Sequence, residues 1–222
     1  MDTNLNAEFI LELNQKIRDL IFKENIPLLQ ELIQKYNFLY QPIDANNLTA
    51  LHVAVQMDKK KVILMLCELL KKNNPPNETE IKGINMPDIM GRTPLHQAGA
   101  KGSIDIILNL IKYGANVNAQ TISGETPLMK AIAFYQEKAC KILLRYGADP
   151  NMENSVTNKN CLRQAYESGN SEIINTVKVF SEKYSNYIKM ILKIADTNNN
   201  RKNYLQKIPN FLLLKAINYI IP

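Results

Sequence analysis

Apolar residues along the chain fall into short stripes at helical spacing, separated by polar and glycine-containing breaks. Leu95 and Ala98 stand three apart, Ile104, Ile107, Leu108 and Ile111 share a second stripe, and Leu128, Ala131 and Ile132 repeat the first pattern. The stripes predict pairs of short helices. Thr93-Pro94 and Thr126-Pro127 open the first helix of a pair: threonine caps the N-terminus, and proline suits the first turn, where its missing N–H would be unpaired anyway. Gly102 falls at the turn between helices, and Gly114 and Gly147 end the second helix as C′ residues. Further on, Ile173, Val177, Phe180, Tyr184, Tyr187, Ile191 and Ile194 alternate spacings of four and three, which predicts one helix of about 25 residues. NNNRKN at 198–203 breaks it, and Pro209 opens a final helix, PNFLLLKAINYII, expected to pair with it and cover the end of the array.

The stripes recur. Thr93-Pro94-Leu95-His96 is followed 33 residues later by Thr126-Pro127-Leu128-Met129. It is preceded 44 residues earlier by Thr49-Ala50-Leu51-His52, one period plus 11 inserted residues. IKYGANVNAQ (111–120) and LRYGADPNME (144–153) are also 33 apart. Self-similarity at that period marks a repeat array and outranks local propensity. The combination G-x-TPLHxA, a two-helix period and YGA-x-x-N resembles the ankyrin repeat. Residues 88–120 and 121–153 carry it nearly throughout, and 44–87 carry it at DANNLTALHVAV and INMP with an insertion, 71–83, between. Residues 154–180 form a degenerate unit in which Leu162, Ala165 and Gly169 keep the register without TPLH. IRDLIFKENIPLLQELIQKY at 17–36 aligns ahead of the first unit as a capping unit. The resemblance implies an all-α solenoid of helix-turn-helix units joined by short β-hairpin-like loops, with a helical C-terminal cap. The chain divides accordingly into an N-terminal helical capping unit (1–43), repeats (44–180) and a basic helical tail (181–222).

The chain has two histidines, His52 and His96, and both occupy the last position of the TPLH motif. In ankyrin repeats that histidine hydrogen-bonds backbone and threonine groups between neighbouring units, so the resemblance implies a scaffold role. Met129 at the matching position of the next unit fits a structural role and not a shared chemical one. The histidines are 44 residues apart, and neither carboxylates nor thiols surround them at metal-ligand spacing. Phosphate-loop and dinucleotide-binding glycine patterns are missing. Cys67, Cys140 and Cys161 are widely separated on apparent helices, giving neither a disulfide framework nor a CxxC pair and suiting a reducing cytosol. Cys140 reads as a small apolar filler. The expectation is a non-enzyme with no metal and no cofactor.

Charge changes the picture only at one end. Residues 182–222 carry seven Lys/Arg against Glu182 and Asp196, leaving 20 basic against 19 acidic residues in 1–181, so the net +6 belongs mostly to the tail. A solvated lysine-rich helix face accounts for this, with nucleic acid, an anionic membrane or an acidic protein surface as the partners such charge favours. The opening MDTNLNAEF lacks the basic-then-apolar order of a secretory signal, and FLLLKAINYII at 211–221 is shorter than a membrane span. IPNFLLLKAINYI also has a weak likeness to F-box-like or SOCS-box-like tails, which makes a ubiquitin-ligase adaptor the alternative reading. Heavy use of Lys, Asn and Ile matches an AT-rich genome and suggests an effector of an intracellular bacterium or virus.

The resemblance also implies where a protein partner would sit: on the loop tips and on the ends of the first helices. Those positions are Asn46 and Leu48, then Ile89, Met90 and Arg92, then Ile122, Ser123 and Glu125 at the tips, with Met57, Lys101, Phe134 and Tyr135 at the helix ends. Ile89, Met90 and Ile122 stand out because apolar side chains at a solvent-facing tip are what a binding hot spot uses. A monomer that binds another protein, with no nucleic acid partner, is the expected form, and an inhibitor of a transcription factor would use the same surface.

Overall fold

The computed structural model describes residues 7–74 and 83–196, and its helices come in pairs. The first pair is α1 (Ala7–Lys23) and α2 (Ile26–Tyr36), followed by α3 (Ala50–Gln56) with α4 (Lys60–Lys72) and α5 (Pro94–Lys101) with α6 (Ile104–Lys112). Then come α7 (Pro127–Ala133) with α8 (Glu137–Arg145), and α9 (Cys161–Ser168) with α10 (Ser171–Asp196). The helices α2 to α9 are short enough to be marginal in isolation, so tertiary packing has to hold them. The first helices α1, α3, α5, α7 and α9 pack in one row and the second helices α2, α4, α6, α8 and α10 in another. Ile17, Ile21, Leu29, Ile63, Leu66, Leu95, Ile106 and Ile107 are fully buried between the rows, each worth roughly 1.5–3 kcal/mol.

The fold is the expected all-α solenoid, and among the described residues the hairpin-like loops contain only isolated antiparallel bridges, Pro42–Thr49 and Glu153–Asn160. The N-terminal segment 17–36 belongs to two helices that begin earlier, at Ala7, and break at Glu24 (φ +52°). Asn25 caps the second, its side chain accepting from the Leu28 N–H at 3.4 Å.

Asparagine amides fasten one unit to the next on the side of the second helices. Asn85 donates to the Gly114 carbonyl (3.3 Å) while its Oδ1 accepts from the Asn116 N–H (2.8 Å). Asn118, one period later, does the same to the Gly147 carbonyl (2.9 Å) and the Asp149 N–H (2.8 Å). The next in the series, Asn151, meets the second helix of the fourth unit and accepts from the Ser181 hydroxyl of α10 (3.2 Å).

Helix lengths depart from the repeat at two places. α4 has 13 residues against 9 in α6 and α8, so the start of the insertion continues the helix. α10 has 26 residues, as the alternating four-and-three stripe requires, and runs unbroken through residue 180. The division between a fourth unit and a tail at 180/181 is therefore not a structural break: the fourth unit's second helix is itself the start of the tail. The remainder of the insertion (75–82), the expected final helix and the F-box-like stretch lie outside the described residues.

Candidate protein-binding surface

Each tip is built by one polar side chain folding the loop over itself. Asp44 Oδ1 accepts from the N–H groups of Asn46 (3.0 Å) and Leu48 (2.9 Å), and Asp88 Oδ1 from those of Met90 (2.9 Å) and Arg92 (2.8 Å). Thr121 Oγ1 accepts from the Glu125 N–H (3.0 Å), and Asn154 Oδ1 from those of Val156 and Thr157 (2.9 Å each). Burial opposes the Asp88 charge, but the Arg92 and Met90 N–H groups and the Arg92 guanidinium outweigh it and hold the carboxyl below its ordinary range. Asn47, Gly91, Gly124 and Asn158 take the left-handed turn that each tip needs. At Gly91 and Gly124 the next tip also comes close: an added Cβ would lie 2.7 Å from the Ile122 nitrogen and 2.6 Å from the Ser155 nitrogen.

That approach joins the tips. Ile89 N–H donates to the Asn46 carbonyl (3.0 Å), Ile122 N–H to the Met90 carbonyl (3.1 Å) and Ser155 N–H to the Ser123 carbonyl (3.0 Å). The backbone polarity is thus consumed between tips, while Ile89, Met90 and Ile122 point their side chains outward, Ile122 with 75% of its surface exposed. The fourth tip adds Val156, 73% exposed. It was missed because tip positions were carried over only to the three units with a TPLH-like start, which the degenerate unit lacks.

The other candidate positions divide. Asn46 and Lys101 are exposed, although Lys101 Nζ also donates to the Gln56 carbonyl (2.7 Å) at the end of α3. Arg92 is held by Asp88 (2.7 Å), and Glu125 by Lys130 (2.5 Å) with Ser123 donating to it at 3.3 Å, so these three are half-buried parts of the tip scaffold. Leu48 is a correction: only 5% exposed, it belongs to the core and offers a partner nothing. α1 lies against α3, and Arg18 of α1 reaches Asp44 of the first tip (2.7 Å), so this end of the array has a wall that the inner units lack. Met57 is also half-buried against the core.

Phe134 and Tyr135 sit at the opposite end of α7 from its tip, about 10 Å along the helix, and both are more than half exposed. Tyr135 adopts φ +56°, the conformation taken at the matching turns by Asp58, Gly102 and Gly169. A bulky aromatic residue in that region is strained, at a cost on the order of 1–2 kcal/mol.

Between these strips run the histidine seams. Thr49 N–H donates to His52 Nδ1 (3.2 Å), which fixes the proton on Nε2, 3.0 Å from the Arg92 carbonyl of the next unit. Thr93 N–H donates to His96 Nδ1 (3.0 Å), and Nε2 faces the Glu125 carbonyl at 2.9 Å. Burial lowers both pKa values, His96 to about 4, so the rings are neutral scaffold links. In the third unit Met129 makes no such link, and only its N–H meets Thr126 Oγ1 (3.3 Å). Cys67 and Cys140 are buried and pushed up to about 12, and Cys161 is raised further by the same cause, which leaves all three as unreactive thiols. Among the described residues no group of three or more His, Cys, Asp or Glu side chains is placed to hold a metal ion, and no helix is long and apolar enough to cross a membrane.

Comparison with known families finds ankyrin repeats, in three copies, over residues 20–121 and one further ankyrin repeat over 123–155. The first match starts within α1, so the N-terminal pair, which the sequence aligned from residue 17 as a capping unit, falls inside the repeat match. No curated protein matches the chain.

Proposed function

Because the chain belongs to the ankyrin-repeat family, whose repeats are generic protein–protein interaction modules, we propose that it is a non-enzymatic binding protein that grips one partner through its tips and the ends of its first helices. The observation that carries this is the outward row Ile89, Met90, Ile122 and Val156, mounted on tips whose backbones already bond each other. An apolar side chain held out on a rigid, internally satisfied loop has its ordering cost removed before binding. Phe134 and Tyr135 supply aromatic anchors at the other edge of the same face. Reducing cytosol suits the three buried thiols, and the Lys-, Asn- and Ile-rich composition supports a host-cell protein as the partner of a microbial or viral effector.

The test is site-specific photo-crosslinking in a eukaryotic lysate, with a photoreactive residue at position 122 and mass spectrometry of the adducts. A discrete crosslinked protein that disappears when Ile89, Met90 and Val156 are made Lys, Glu and Lys, with circular dichroism unchanged, is the expected result. Crosslinks that survive those changes would place the partner elsewhere and end this reading.

A further inference from the structure

We propose that the opposite face of the array carries a second site, a basic groove between α8 and α10 that takes an acidic amphipathic segment of a protein partner. It is independent of the tips. Lys138, Lys141 and Arg145 recur at helical spacing along α8, and Lys183 faces them from α10. The groove they border has a volume of about 660 Å³ and a floor of Ile142, Val179 and Phe180, and no Asp or Glu lines it. Lys141 is paired with Glu172 at one rim. Lys138, Arg145 and Lys183 make no ion pair among the described residues, and Lys183 lies 5.8 Å from the Phe180 ring.

Uncompensated cations around an apolar floor repel one another and concentrate anions, and the floor adds a demand for apolar side chains. Charge decides among occupants. Residues 197–222 of this chain hold Arg201, Lys202, Lys207 and Lys215 with no acidic residue, so this segment is repelled, as is the same segment of a second copy. A bilayer surface is engaged by apolar side chains that project well into it, whereas Ile142 and Phe180 are half-buried and Val179 is only 37% exposed. A helix bearing carboxylates beside an apolar stripe meets both demands.

The test uses the full chain and a fluorescein-labelled peptide of about four helical turns, made of Glu, Leu and Ala with leucines at helical spacing. Two further peptides have the leucines dispersed or Lys in place of Glu. Fluorescence anisotropy should show binding of the first peptide alone, weakened by about tenfold or more by Lys138→Glu with Arg145→Glu. Val179→Asp should weaken it as well, and Ile122→Lys should leave it intact, which separates this site from the tips. Lys183→Glu supplies a second variant should the first pair disturb the fold by circular dichroism. Equal binding by the charge-reversed variants, equal binding of the dispersed-leucine peptide, or no binding by the full chain would each overturn the proposal. So would binding of phosphatidylserine vesicles without binding of the peptide.

Discussion

At Tyr135 one side chain is kept where glycine would be more stable. Its left-handed turn is the one taken by Gly102 and Gly169, and its ring is largely in water, so no core contact compensates the backbone. Tyr135→Gly should therefore raise the free energy of unfolding by about 1 kcal/mol, while weakening capture of the tip partner. A fall in stability would mean the aromatic ring is structural. The histidines predict a pH effect. His96 is neutral in the fold with its pKa lowered from 6.5 to about 4. Above 6.5 neither folded nor unfolded chain holds that proton. As pH falls toward 4 the unfolded chain takes it and the native one does not, so stability is lost across this window, by about 3 kcal/mol. His52 acts in the same direction. Asp88, held below its ordinary range, loses its contribution only at lower pH. His96→Met, the residue found at the matching position 129, should be less stable at pH 7 yet show a shallower decline between pH 6.5 and 4 in urea titrations; an unchanged slope would contradict the assignment. Tyr135's left-handed turn was readable by aligning it with Gly102. The burial of Leu48 was not, because Arg92 and Glu125 hold the matching position of the next two units half-buried at the tip, while Leu48 joins the core.

Among elements, the period of 33 fixed the order and approximate limits of α3 to α9, since Thr-Pro starts and Gly stops recur with it. Polar bridges between units were not legible. Asn85 and Asn118 look like ordinary loop residues until the fold brings carbonyls and N–H groups of the next unit to both ends of each amide. Asn118→Ala would remove both of its bonds, to the Gly147 carbonyl and from the Asp149 N–H, at the junction of the second and third units, and should cost about 1–3 kcal/mol. Urea denaturation reads this directly, and a loss under a few tenths would show that water replaces the bridge. The groove between α8 and α10 was equally hidden. Its cations come from segments about 40 residues apart and meet only because second helices stack side by side.

Across the whole molecule, each unit touches only its neighbours, so stability is close to a sum of units and junctions. The junctions are not equal. The first-to-second and second-to-third are pinned by His52 and His96. The third-to-fourth has Met129 instead, and most of its side-chain hydrogen bonds lie on the other side. Asn170 meets Glu137 (3.1 Å), Lys141 meets Glu172, Ser181 meets Asn151 (3.2 Å) and Tyr184 meets Asp149 (3.1 Å). Hydrogen exchange should accordingly be faster in α9 than in α5, and equal protection would mean the histidine links contribute little. Under mechanical load this asymmetry turns the last junction into a hinge. Tension applied across the array would open the inner seam between α7 and α9 first while the outer seam between α8 and α10 acts as the pin, so the fourth unit swings as a leaf before it detaches.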